Sequence, residues 1–84
     1  MSKKQKRLAT TRNNPSDVRF DDLVALILSL GFVPVRQAGS HVIYQHRSHP
    51  ASLVNLQTTK DGKAKTYQVE QLLALVDSLK LEVK

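Results

Sequence analysis

The chain has no cysteine, no tryptophan and only three glycines, and each shortage removes a class of protein. Without cysteine there is no disulfide framework, no thiolate metal site and no thiol redox chemistry, so the fold must rest on an apolar core, as a reducing compartment permits. Gly31, Gly39 and Gly62 stand alone in the sequence, which leaves no glycine-rich loop to cradle a phosphate. Long apolar runs are missing too: the longest, Leu23 to Leu28, is far too short to cross a bilayer. The basic start "MSKKQKRLATTRNN" has no apolar segment behind it, so no membrane association is expected and the protein is expected to be soluble and cytoplasmic. At 84 residues one compact domain is expected, without a deep enclosed cavity, because domains near this size bury only about 60% of their unfolded surface.

Acidic residues are also scarce, seven against thirteen Lys and Arg, for a formal net charge of +6. The distribution matters more than the sum. Residues 1 to 15 carry Lys3, Lys4, Lys6, Arg7 and Arg12 with no acid, and residues 33 to 66 carry Arg36, Arg47, Lys60, Lys63 and Lys65 against Asp61 alone. Charge gathered in this way favours a polyanionic partner such as nucleic acid, although a lysine-rich arm can equally be a solvated tail. Residues 1–15 are therefore read as a basic N-terminal arm and residues 16–84 as a single domain.

What is present behind the arm is a sequence of five periodic segments. In "RFDDLVALILSLG" the residues Leu23, Val24, Leu26, Ile27 and Leu30 fall on one helical face, Asp21 and Asp22 suit the positive end, and Gly31 is placed to stop the helix. Its start is left open, with Ser16 and Asp17 as possible caps and Val18 to Phe20 as a possible extended lead-in. Strands follow at Phe32 to Gln37, where Pro34 marks an edge, at His41 to His46 after an Ala-Gly-Ser turn, and at Leu53 to Gln57 with Val54 and Leu56 on one face. The basic loop "TTKDGKAK" leads to a second helix, with Val69, Leu72, Leu73, Val76 and Leu79 in register and Thr66 as a possible cap. The order is α-β-β-β-α. Two helices and a three-stranded antiparallel meander form a two-layer α+β domain with both helices on one face of the sheet and the other face available to a partner.

The residues that could carry chemistry lie in "RQAGSHVIYQH", although by local sequence alone a histidine at a strand edge is more often structural than catalytic. Gly39 supplies turn freedom, Ser40 can close the turn, and His41 is the group able to give and take a proton near neutrality. Parity groups His41 with Ile43 and Gln45, and Val42 with Tyr44 and His46. Each set contains an apolar residue, so parity leaves the direction of His41 open. His41, His46 and His49 do not form a metal site in this spacing, and no acid lies between residues 23 and 60 to complete one, so no metal or other cofactor is expected. Ser40 and His41 lack the third member of a nucleophile triad.

These segments together resemble the HicA family of bacterial toxin–antitoxin toxins, across about residues 18 to 79. The resemblance rests on Leu30, Gly31 and Phe32 at the end of the first helix, on Arg36, Gln37, Gly39, Ser40 and His41, and on "GKAKTYQV" before the last helix. The family often has proline where this chain has Thr66. The resemblance implies a fold similar to the double-stranded-RNA-binding domain and the activity of an mRNA interferase, a metal-independent endoribonuclease that inhibits translation and growth. It implies that His41 is catalytic, that mRNA is the substrate and that a HicB-type antitoxin covers the active surface. Arg36, Gly39, Ser40, Lys63 and Lys65 are the candidate substrate-binding residues, the cations for phosphate and Gly39 for close approach of the RNA backbone. Tyr44 is conceivable as a second proton-transfer group. The competing readings are a non-catalytic RNA-binding module and a protein-interaction domain.

Overall fold

A computed structural model describes residues 2–57 and 59–83. Six elements follow one another: α1 (Lys3–Asn13), α2 (Phe20–Ser29), β1 (Phe32–Ala38), β2 (His41–His46), β3 (Leu53–Gln57) and α3 (Thr66–Leu79). From α2 onward this is the expected α-β-β-β-α order, with one antiparallel sheet in the order β1-β2-β3. The arrangement is consistent with that of the double-stranded-RNA-binding domain.

The core lies between the sheet and two helices because strand alternation sends one set of side chains to each side. Phe32, Tyr44, Val54 and Leu56 meet Leu23, Leu26, Ile27 and Leu30 of α2 and Val69, Leu72 and Val76 of α3, all buried. Gly31 ends α2 as expected: its φ of +101° is the left-handed region that glycine enters at little cost. Of the possible starts for α2, the extended lead-in is the one formed. Ala64 donates its N–H to Val18 O and Phe20 donates to Gly62 O, so residues 18 to 20 run beside the loop before α3, and Arg19 is the N-cap without a side-chain cap bond. Ser16 and Asp17 are engaged elsewhere, Ser16 Oγ with Asn14 Oδ1 and Asp17 with Lys63. Thr66 is the first residue of α3 rather than its cap. Lys65 takes the cap position in extended backbone, again without a side-chain cap bond.

The turn between β1 and β2 is tighter than Ala-Gly-Ser. Ala38 pairs with His41, so β1 runs one residue past Gln37 and only Gly39 and Ser40 make the turn. Gly39 has φ +61° at the first turn position, the pattern of a type II′ hairpin.

Residues 3 to 13 of the basic arm form a helix. Lysines at its N-terminal end oppose the helix dipole, and it lacks an apolar stripe. Two other features hold it. Ser2 and Gln5 close a capping box, and the helix docks through Leu8, the buried Thr11 and a two-pronged bond from Arg12 to Asp77 of α3, at 2.7 and 3.2 Å. Between α1 and the lead-in to α2 runs a groove of about 360 Å³, where Lys3, Lys6 and Arg7 meet Asp17 and Asp22.

Candidate active site on the open sheet face

Among the described residues no helix covers the second face of the sheet. Pairing across the strands arranges it as three rows: Ala38, His41 and Gln57 nearest the hairpin turn, then Arg36, Ile43 and Asn55, then Val33, Gln45 and Leu53. The direction of His41 follows from burial. Tyr44 and His46 are in the core, so His41, of opposite parity, points outward and is exposed.

Arg36 shares this face because of an irregularity in β1. Pro34 pairs with Tyr44, yet Arg36 pairs with Ile43, so Val35 is an extra residue in a one-residue bulge. Were Val35 instead paired with Ile43 in a regular ladder, Arg36 would oppose Val42 and point toward the helices. Pro34, at the same place, costs the ladder nothing, because β1 is an edge strand and Tyr44 opposite it turns its backbone groups toward β3.

Lys65 reaches the face from the other side. Its Nζ donates to Gln57 Oε1 at 2.7 Å, and Gln57 is the cross-strand partner of His41. Gln57 is itself fixed, because its backbone N–H donates to the side chain of the buried Gln68 on α3. Lys63 is directed elsewhere. It forms an exposed ion pair with Asp17 at 2.8 Å, which holds the Asp17 carboxyl below its ordinary range and the ammonium above its own. Lys60, Lys63 and Lys65 nevertheless line one open groove of about 510 Å³, in which Asp61 is tied to Thr59 and to the Lys63 N–H. Those bonds, the Lys63 N–H foremost, hold the Asp61 carboxyl low.

Gly39 and Ser40 are exposed in the hairpin turn one residue from His41. A Cβ added at Gly39 would meet nothing within 4 Å, so the backbone conformation alone accounts for glycine there. Tyr44 is not a member of this face. Its ring is 7% exposed in the core, and burial pushes its phenol up from the ordinary value, which suits packing rather than proton transfer to an outside substrate.

His46 is a second contrast. It is 4% exposed, its Nε2 donates to Leu30 O at 2.9 Å, and its Nδ1 accepts from the Ser48 N–H at 3.0 Å. Its ring stands edge-on to Phe32 at 5.0 Å between centroids and leans on His49 at 4.9 Å. His46 therefore ties the end of α2 to the loop after β2. Among the described residues no three His, Asp or Glu side chains come together as a metal-binding group, and no helix is long and apolar enough to cross a membrane.

Asn55 and Gln57 were not singled out by sequence reasoning. The alternation of Val54 and Leu56 already sent them to the opposite face; the missing information was which way His41 pointed.

Fold and site define a class: a small α-β-β-β-α domain offering one solvent-facing histidine beside cationic side chains on an uncovered sheet. The family model for the HicA toxin of bacterial toxin-antitoxin matches residues 20–75, which include α2, the sheet and most of α3. The chain belongs to this toxin family, and its counterpart is therefore an antitoxin. No curated protein and no solved structure matches it. Helix α1 lies outside the matched residues.

Proposed function

We propose that this toxin is a cytoplasmic, metal-independent endoribonuclease that cleaves mRNA with His41 and so halts translation and growth. The observation that carries the reading is the exposed imidazole of His41, on a sheet face that no helix covers and in the row next to Arg36. His41 takes the proton of a ribose 2′-hydroxyl as that oxygen attacks the adjacent phosphorus. The bond from phosphorus to the 5′ oxygen breaks, leaving a 2′,3′-cyclic phosphate on one product, and the 5′ oxygen of the other gains a proton. Arg36 and Lys65 balance the charge that grows on the phosphoryl oxygens, and Lys63 extends the cationic surface along the groove. The exposed backbone of Gly39 and Ser40 lets the RNA strand pass close. A HicB-type antitoxin neutralises the toxin by covering this face.

Proton transfer by a positioned side chain contributes about 10²- to 10⁴-fold. The His41→Ala variant is therefore expected to lose cleavage of a purified mRNA by at least about a hundredfold, together with growth inhibition, while keeping its circular dichroism spectrum and antitoxin binding. Cleavage should persist in EDTA. Undiminished cleavage by His41→Ala, or its abolition by EDTA in the unchanged protein, would overturn the mechanism. RNA that is bound by both proteins and cut by neither would point to a non-catalytic RNA-binding module.

A further inference from the structure

An imidazole that moves a proton must present a defined nitrogen to its substrate, and His41 has one neighbour able to decide which. Asn55 sits on β3 beside Gln57's row, on the same open face, and its Oδ1 lies 3.4 Å from His41 Nδ1. An amide oxygen only accepts, so this contact becomes a hydrogen bond when the proton of the neutral ring is on Nδ1. Nε2 then carries the lone pair, and it has no partner among the described residues. We propose that Asn55 is the positioning residue of His41, holding the neutral ring as the Nδ1–H tautomer and turning Nε2 outward as the atom that takes the proton. The inference rests on the nuclease reading for its consequence but not for its geometry.

His46 supplies an internal contrast. Five residues along the same strand, its Nε2 donates to Leu30 O and its Nδ1 accepts, the opposite tautomer, with both nitrogens engaged. The environment thus assigns two histidines of one strand to opposite protonation patterns. The bond from His41 Nδ1–H to Asn55 Oδ1 is long at rest, and catalytic hydrogen bonds of this kind tighten when substrate orders the ring. The charged groups that share the face are Arg36 on β1 and Lys65, held at Gln57 from the cap of α3. Both are cations, and Gln57 Oε1 already accepts from Lys65, whereas the Asn55 amide oxygen is the acceptor that lies against His41 Nδ1.

Two variants of the full chain test this. Nitrogen NMR of the ¹⁵N-labelled protein without RNA should show neutral His41 protonated on Nδ1. Asn55→Ala should shift it toward the Nε2–H form and lower kcat by roughly tenfold with KM for RNA little changed, the factor that one hydrogen bond of ordinary strength supplies. Asn55→Asp should restore the Nδ1–H form and, by placing a carboxylate against that proton, favour the charged ring and move the His41-governed limb of the cleavage profile to higher pH. An Nε2–H tautomer in the unchanged protein, or a tautomer indifferent to Asn55→Ala, would overturn the assignment. Because the tautomer is read without RNA, a protein that cut nothing would sink the nuclease reading and leave this measurement to decide Asn55 by itself.

Discussion

The two ends of β2 carry the same side chain in opposite circumstances. His41 stands in solvent on the open face, whereas His46 is enclosed on the helix side with both ring nitrogens bonded. Five residues along a strand reverse the face, and with it the role. A buried histidine with two partners holds structure; one with an outward nitrogen is available for chemistry. Residue type alone therefore says little about a histidine, and parity decides between the two uses.

The largest effects should come from truncating each ring in turn. His41→Ala is expected to remove cleavage and leave the melting temperature within a degree or two. His46→Ala leaves Leu30 O and the Ser48 N–H without their partner in a buried site, at about 1–3 kcal/mol for each unsatisfied group. In a domain of this size that lowers Tm by roughly 10 °C or more. A His41→Ala protein as unstable as His46→Ala would erase the distinction.

Next in size is Gly31→Ala. The φ of +101° disfavours any Cβ, and one built there would stand 2.9 Å from His46 Nε2, so the ring must move off Leu30 O. A loss of about 1–3 kcal/mol is expected in urea unfolding, with the cleavage chemistry of refolded protein unchanged.

A smaller effect separates α1 from the rest. Arg12 holds the Asp77 carboxyl below its ordinary range through their hydrogen bonds, and Asp17 and Asp61 are held low by Lys63 and its N–H. A carboxyl depressed in the folded state stabilises above its unfolded pKa, and that contribution disappears as pH falls through the lower, folded value. Acidification from about pH 5 downward should therefore loosen α1 first, seen as a fall in the protection of amides 3 to 13 relative to their intrinsic exchange rate at each pH, while β2 stays protected. Arg12→Ala should remove that protection at neutral pH and leave little for acid to remove.

The smallest is Thr66→Pro. Thr66 opens α3, where proline's missing N–H is not needed, and Lys65 before it is already extended at φ −71°, ψ 132°. A gain of about 0.5 kcal/mol is expected from the stiffer unfolded chain. A loss would mean that the Thr66 N–H has a partner that matters.

Much of the domain was legible. The helical stripes of α2 and α3, the stop at Gly31 and the alternation of Val54 and Leu56 are local patterns, and local patterns survive in a single sequence. Helix α1 was not legible because it lacks the apolar stripe by which helices are recognised. Its anchor joins Arg12 to Asp77 across 65 residues, a pairing that no window can contain. At the site, the motif pointed to His41, Arg36 and Lys65, but their convergence depends on burial of Tyr44, on the bulge at Val35 and on the reach of Lys65 to Gln57. Lys63 occupies the same motif as Lys65 and is paired instead with Asp17, a partner 46 residues away.

The extra residue in β1 is a place where the strand can lose length without turning over. Delete Val35 and Pro34 still opposes Tyr44 while Arg36 still opposes Ile43, now as neighbouring pairs of a regular ladder, so Phe32 keeps to the helices and the guanidinium to water. At the bulge, parity on the two sides is kept by the pairing and not by the residue count.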